Sequence, residues 1–371
     1  MKYLLIYGSC GHGHQRAAEY IADELRLRGE RDVTIIDFIA YTTSFFKTIY
    51  PFVYKYAVTY LPLLWKWGFD VTNIKELNWF IRLIRRWANH FHAKKLENFI
   101  VHNNPEVIIL THFLPSEVCS YLKGSNKISS HVVTMVTDTI AHATWVNKNS
   151  DYFVGMADET KKALIEWGIR ADRIKVLGIP VASKFKRQNM RDEFLKKYAL
   201  DPSLLTVLIT SGSFGIGPIE KLVFLLNRYQ NKIQVIVVCG NNKSLFNRLQ
   251  QHAFSVPVKL FQFVSFMDEL MEASDIVIAK SGGLTMCESL AKELPLVISR
   301  PIPGQETYNA QFLLSHNAAY QIHRVGEIEP IIDSILKDKS VLEVKKEYIR
   351  KISRPNATAD VVDFLLTSLT K

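Results

Sequence analysis

The chain has 371 residues, 48% of them hydrophobic, and a formal net charge of +10. This composition predicts a globular protein of two ordinary domains with an anionic partner. No apolar run reaches the roughly 18 residues of a membrane span, and residues 1–14 lack the long apolar region of a signal peptide. The four cysteines are scattered without metal-ligand spacing, which indicates free thiols in a reducing compartment rather than a zinc site.

The amino-terminal βαβ pattern contains a candidate ligand loop. An apolar run at 2–7 predicts a strand, a helical pattern follows at 15–28, and a second strand follows at 33–37. The glycine-rich loop after the first strand lies where open α/β sheets bind ligands. It does not match the dinucleotide fingerprint, because its second and third glycines are misplaced. Gly13 and His14 are candidate site residues, although His14 taken alone fits a helix cap equally well.

Residues 41–92 are rich in aromatic side chains that alternate with lysines and arginines, and only Asp70 and Glu76 oppose this charge. Such a mixture is typical of an interfacial membrane contact. The alternative is a set of amphipathic helices whose aromatics fill the core. We expect both, with Ile81, Ile84 and Ala88 facing inward and part of 43–70 exposed. Nucleic acid is not an expected partner, because no known binding motif accompanies the basic residues.

Two further strands, at 107–110 and 132–136, continue the first sheet. The second of these ends at Thr137-Asp138, which predicts that Asp138 lies at the strand end and faces a ligand. Asp138 could instead cap the following helix. His142 and Trp145 follow at helical spacing, so they fit either a site or internal packing.

The second half of the chain repeats the strand–glycine turn–helix architecture. A strand at 207–209 precedes a glycine loop at 211–215, and a strand at 276–279 precedes Ser281-Gly282-Gly283. Glycines at such turns let a phosphate approach backbone N–H groups at the positive end of a helix. Glu288, expected near the first turn of the helix, could accept ribose hydroxyls, and Gln305 and Glu306 could contact sugar hydroxyls. The alternative is a turn without a ligand.

Three segments, at 8–18, 135–181 and 281–309, resemble family 28 glycosyltransferases. The resemblance is strongest to the monogalactosyldiacylglycerol synthases and the processive diacylglycerol β-glucosyltransferases. It implies an α/β protein of GT-B fold, with two Rossmann-like domains facing a central cleft. The expected domains are an acceptor and membrane-contact domain at 1–180, a donor domain at 181–354, and a helix at 355–371 that returns to the first domain.

The resemblance also implies site residues. His14 and Asp138 are the catalytic candidates and are not ranked, while Gly13, His142 and Trp145 are expected on the acceptor side. The expected donor-binding residues are Ser213, Phe214, Gly215, Phe266, Met267, Ser281, Gly282, Gly283, Leu284, Thr285, Glu288, Gln305, Glu306 and Asn309.

The implied function is inverting transfer of a hexose from UDP-glucose or UDP-galactose to diacylglycerol or a related lipid. The UDP-sugar is a substrate, and neither a cofactor nor a metal is expected. The implied location is cytoplasmic, peripheral on the inner face of the cell membrane, against anionic lipid. Two alternatives stay open. One is an enzyme of the same fold with a soluble substrate, such as a UDP-sugar epimerase, and the other is a protein that only senses UDP-sugars.

Overall fold

A computed structural model describes residues 1–9, 11–210, 212, 215 and 217–369, without the side chains of residues 55, 78, 79, 82, 86 and 88–90. The chain divides into two units. The first contains Met1–Val181, Ile302–Tyr308 and Asn356–Lys371, and the second contains Ala182–Pro301 and Asn309–Pro355.

The strands are β1 (Lys2–Tyr7), β2 (Asp32–Asp37), β3 (Val107–Leu110), β4 (His131–Met135), β5 (Tyr152–Gly155), β6 (Ile174–Val176), β7 (Leu205–Thr210), β8 (Ile233–Val238), β9 (Val258–Phe261), β10 (Ile276–Ala279), β11 (Leu296–Ser299) and β12 (Ala319–Ile322). The α-helices are α1 (His12–Leu27), α2 (Ser44–Tyr60), α3 (Pro62–Thr72), α4 (Lys75–His92), α5 (Lys94–Asn103), α6 (Phe113–Gly124), α7 (Asp158–Glu166), α8 (Arg191–Lys197), α9 (Ile219–Leu226), α10 (Lys243–Gln250), α11 (Met267–Glu272), α12 (Gly283–Ala291), α13 (Gln305–Ser315), α14 (Ile328–Lys337), α15 (Ser340–Ile352) and α16 (Ala357–Ser368).

The first unit is built on a six-stranded parallel sheet in the order β2-β1-β3-β4-β5-β6. Apolar residues on both faces of the sheet are buried, as expected for parallel strands covered by helices. The chain reverses its direction across the sheet between β1 and β3. The loops that follow these two strands therefore diverge, which opens the crevice where such sheets bind ligands.

Helix α16 completes the first unit. Its Val361 and Leu365 are fully buried in the same apolar cluster as Leu5 and Ile21. The Thr358 hydroxyl donates to the carbonyl of Val181 at 2.6 Å.

The second unit is built on another six-stranded parallel sheet, in the order β12-β11-β10-β7-β8-β9. Its reversal point lies between β7 and β10. The predicted turn at 281–283 follows β10, and Gly212 and Gly215 of the other predicted loop follow β7, so these glycines lie at the crevice of this sheet.

The expected domain boundaries assigned residues 302–308 to the second domain, and the structure differs here. These residues group with the first unit, because Gln305 bonds to Asp138 and Tyr308 packs near Phe69 with ring centroids 6.0 Å apart. These contacts are tertiary, so the local sequence pattern did not indicate them.

Candidate active site

His14 lies in the first turn of α1, at the crevice of the first sheet. Its Nδ1 is 2.6 Å from the carbonyl oxygen of Thr111, the residue after β3. A carbonyl can only accept, so Nδ1 carries the proton and Nε2 has a free electron pair. Burial lowers the pKa of His14 to about 4. The imidazole is therefore neutral near pH 7 and chemically able to accept a proton. Gly13 precedes it in the same turn.

Asp138 is buried and lines the same cavity as His14, although it lies three residues beyond the end of β4 rather than at the strand end. Trp145 Nε1 donates to its Oδ2 at 3.2 Å. Gln305 Nε2 donates to both carboxylate oxygens, at 3.1 and 3.2 Å. The carboxylate is thus held in a defined orientation by two side-chain donors. Gln305, expected to bind the donor, contacts a catalytic candidate in this structure.

His142 connects α3 to the turn that follows Asp138. Its Nε2 is 2.9 Å from the carbonyl oxygen of Phe69, and its Nδ1 accepts from the backbone N–H of Thr144 at 3.2 Å. The two rings of His142 and Phe69 have centroids 4.0 Å apart. Since both ring nitrogens have partners, His142 is suited to anchoring α3 rather than to accepting a proton.

His112 is a site residue that the sequence analysis missed. It is buried, caps the N-terminus of α6 through Nδ1, and has its ring centroid 4.6 Å from that of His14. A Cβ atom on Gly8 would lie 3.0 Å from this ring, so glycine at position 8 makes room for it. The signal in the sequence was a histidine two residues after a predicted strand. However, its significance depends on β3 pairing with β1, which the local pattern cannot show.

These side chains border a cavity of about 400 Å³ within the first unit. Helices α2 and α3 supply most of the rest of its wall, with apolar and aromatic side chains. They are Tyr50, Val53, Tyr54, Ala57, Leu64, Trp65 and Phe69. The cavity therefore combines a small polar cluster with a largely apolar wall.

The outer surface of α2, α3 and α4 is unusually apolar. Exposed fractions reach 80% for Leu63, 64% for Trp67 and 75% for Trp87. Ile84, which we expected to face inward, is 53% exposed. The side chain of Ala88 lies outside the described residues. Among the helices that the structure describes, none is long and apolar enough to span a membrane.

The predicted donor-binding residues divide between the two units. Residues 281–285 form the turn after β10 and the start of α12. Glu288 is buried one turn further along than expected, because α12 begins at Gly283. Asn309 donates to the carbonyl of Ser281 at 3.0 Å and so supports this turn. Glu306 belongs to the first unit, where its carboxylate accepts from the N–H of Ile302 at 2.7 Å.

The second glycine loop, after β7, is only partly described. Gly215 has a φ of +58°, and a Cβ there would lie 2.2 Å from the carbonyl oxygen of Cys239, so only glycine fits. Ser213 and Phe214 lie outside the described residues. Phe266 precedes α11, which begins at Met267, and its ring stacks on Tyr198 at 5.7 Å. Within the described residues, no three His, Cys, Asp or Glu side chains are grouped as metal ligands.

Comparison with known proteins identifies two family models in the chain. The model of monogalactosyldiacylglycerol (MGDG) synthase matches residues 14–181, and the model of the glycosyltransferase family 28 C-terminal domain matches residues 206–360. A processive diacylglycerol beta-glucosyltransferase of Bacillus cereus (strain G9842) is 28% identical over 369 residues. This match covers 98% of this chain and 93% of the relative.

Several solved structures have the same fold. MurG of Acinetobacter baumannii has a TM-score of 0.65 at 14% identity, with 99% of both chains covered. UDP-GlcNAc 2-epimerase of Neisseria meningitidis, bound to UDP-GlcNAc, has a TM-score of 0.61 at 15% identity, with 99% of this chain and 100% of that chain covered. At these identities the likeness establishes the fold alone, which is GT-B.

Proposed function

We propose that this chain, which belongs to glycosyltransferase family 28 in the group of the monogalactosyldiacylglycerol synthases, is a lipid glycosyltransferase. In the proposed reaction it transfers a hexose, glucose or galactose, from a UDP-sugar to the hydroxyl of diacylglycerol. The observation that carries the proposal is the apolar cavity that includes His14 and Asp138. The product would be a glycolipid. The name of the Bacillus cereus relative supports the same acceptor.

The composition of the cavity supports a lipid acceptor. Diacylglycerol presents one hydroxyl on a molecule that is otherwise largely apolar. The cavity matches both features of this lipid. His14 and Asp138 are polar groups that can contact the hydroxyl, and the aromatic and aliphatic side chains of α2 and α3 can contact the apolar part. Burying apolar surface contributes about 0.8 kcal/mol per CH₂ group. A soluble acceptor rich in hydroxyls would leave many of its polar groups unpaired against this wall.

The proposed reaction is a single displacement. The acceptor hydroxyl passes its proton to Nε2 of His14 while its oxygen bonds to the anomeric carbon of the donor sugar. The bond between that carbon and the diphosphate oxygen breaks, and its electron pair leaves with UDP. This displacement inverts the anomeric centre and gives a β-linked sugar from an α-linked donor. Asp138 is the second candidate for the base, and its fixed orientation also suits it to position a substrate.

Donor binding is proposed for the second unit. The N-cap residue of α12 is Gly282, which has no side chain to cap the helix, so the backbone N–H groups and the helix dipole are suited to the diphosphate. Glu288 would accept hydrogen bonds from the ribose hydroxyls. In this scheme the backbone N–H groups stabilise the negative charge of the leaving group, and neither a metal nor another cofactor is needed.

Peripheral attachment to the inner face of the cell membrane is part of the proposal. The proposed acceptor is insoluble in water, so the enzyme must reach it at a membrane surface. The apolar surface of α2–α4 exposes large side chains such as Leu63 and Trp67. Exposed lysines, among them Lys47 and Lys66, lie on the same helices. Cations and aromatic rings at one surface are suited to an anionic bilayer.

Product analysis tests the proposed function. The purified protein is incubated with vesicles that contain diacylglycerol and, separately, with UDP-glucose, UDP-galactose and UDP-GlcNAc, and the extracted lipids are measured by mass spectrometry. We expect one of the two hexoses to be added to diacylglycerol. Conversion of UDP-GlcNAc without an acceptor would indicate an epimerase instead. Donor binding without any product would indicate a sensing protein.

A further inference from the structure

The two histidines at the crevice of the first sheet have complementary protonation. Nδ1 of His14 donates to the Thr111 carbonyl at 2.6 Å, which leaves Nε2 as an acceptor. His112 shows the reverse arrangement. Its Nδ1 accepts from the backbone N–H of Leu114 at 3.2 Å, and an N–H can only donate, so the proton of the neutral ring lies on Nε2.

Both Nε2 atoms lack a hydrogen-bond partner among the described residues, and both side chains border the cavity. His112 is only 2% exposed, and it borders the cavity, so a ligand that fills the cavity can reach its ring. Burial lowers the pKa of His14 to about 4 and holds that of His112 well below its usual value. Both rings are thus neutral near pH 7, and one free acceptor lies beside one free donor.

We infer that His112 binds the acceptor hydroxyl jointly with His14, with Nε2–H of His112 donating to the hydroxyl oxygen and the hydroxyl donating to Nε2 of His14. A hydroxyl group is suited to this pair, since it carries one donor and accepting lone pairs. Two nitrogen atoms that both bond to one oxygen at about 2.9 Å can lie up to roughly 6 Å from each other. The ring centroids of His14 and His112 are 4.6 Å apart, so the two rings are near enough to share one hydroxyl oxygen.

This role rests on the proposed function and gives His112 a defined part in it. The donor bond from His112 leaves one lone pair of the hydroxyl oxygen free to attack, while the proton leaves toward His14. The orientation of His112 is restricted from two sides, because its Nδ1 caps α6 and its ring lies only 3.0 Å from the position that a Cβ atom on residue 8 would take. His112 is therefore a binding residue whose effect depends on the hydroxyl of the lipid.

The test removes the donor nitrogen and keeps the helix cap. In His112→Asn the amide oxygen can still accept from Leu114, because Asn is among the best N-cap residues, but no atom replaces Nε2. Binding is measured without UDP-sugar, by tryptophan fluorescence in mixed micelles, for diacylglycerol and for the analogue in which hydrogen replaces the hydroxyl. We expect the Kd for diacylglycerol to rise about five- to tenfold and the Kd for the deoxy analogue to change less than twofold.

Equal changes for the two lipids, or no change for either, would overturn the inference, because a purely structural role does not depend on the hydroxyl. Titration with UDP and thermal unfolding verify that the variant is folded. Gly8→Ala is the second variant, since its new methyl carbon would lie 3.0 Å from the His112 ring, which must then shift by a few tenths of an ångström. It should show the same selective loss. Wild-type protein that binds diacylglycerol through its hydroxyl but makes no glycolipid would contradict the proposed function alone, whereas protein that binds neither lipid would contradict both.

Discussion

Acidification from pH 7 to pH 5 should weaken the first unit through His142, which is 3% exposed. Burial lowers the pKa of His142 from 6.5 to about 4. Between these two values the unfolded chain binds a proton and the folded chain does not, so stability is complete above about pH 6.5 and falls toward pH 4. The full loss is about 3 kcal/mol, of which about 2 kcal/mol falls between pH 7 and 5.

Urea unfolding followed by tryptophan fluorescence is the assay. All six tryptophans lie between residues 65 and 167, so the signal reports on the first unit. His142→Gln is the informative variant, because its amide nitrogen can still donate to the Phe69 carbonyl. The loss of unfolding free energy between pH 7 and 5 should be about 2 kcal/mol smaller in this variant than in wild type. His14 is unchanged in both proteins, so its own contribution cancels.

His102→Asn is the matched control, since His102 is an exposed histidine of the same unit. It should retain the pH dependence of wild type. If His142→Gln loses as much stability as wild type over this pH range, His142 is not held neutral by burial, and the anchoring role assigned to its two hydrogen bonds is wrong.

Three further predictions concern the donor, the chemistry and the membrane. Glu288→Ala should raise the Kd for UDP about ten- to hundredfold in calorimetric titration, because a hydrogen bond to a charged group contributes about 1.5–3 kcal/mol. Asp138→Asn and His14→Ala should each lower turnover, by about 10²–10⁴-fold where the residue acts as the base, with UDP affinity nearly intact. Co-sedimentation should show stronger binding to anionic than to neutral vesicles. The double change Lys47→Glu and Lys66→Glu should reduce that binding, since each cation near the surface contributes about 1 kcal/mol.

Each of these predictions has its own control and a contrary outcome. Glu347→Ala removes an exposed carboxylate elsewhere in the second unit and should leave UDP binding unchanged; an unaltered Kd in Glu288→Ala would exclude Glu288 from the site. Near-normal turnover in both catalytic variants would show that another base acts. Lys337→Glu with Lys339→Glu makes the same charge change on exposed positions of the second unit. Equal vesicle binding by the two double variants would place the membrane surface elsewhere.

Local patterns were sufficient for the family and the fold class, both of which are confirmed. The predicted bounds of β1, β3 and β10 agree with the structure, because short apolar runs between polar residues and glycine turns are visible in the sequence alone. The glycine-containing turns predicted at 211–215 and 281–283 also follow strands of the structure, β7 and β10, because glycine after a short apolar run is visible in the sequence alone.

Tertiary contacts were beyond the sequence. Ile84 has the spacing of an inward-facing residue, yet it is exposed, since no element covers that face of α4 among the described residues. The bond of Gln305 to Asp138, which is 167 positions away, was not anticipated either. His112 gained its significance only from the pairing of β3 with β1. In each case the missing information was which distant elements meet.

The central claim is that this cavity presents diacylglycerol for glycosylation, and coupled quantification of both products tests it most directly. UDP released and glycolipid formed are measured in the same reaction, with UDP-glucose or UDP-galactose and vesicles that contain diacylglycerol. The account predicts that UDP release depends on diacylglycerol and equals the amount of sugar transferred to lipid, with a β linkage in the product. UDP release that is independent of diacylglycerol, or that yields free sugar and no glycolipid, would contradict it.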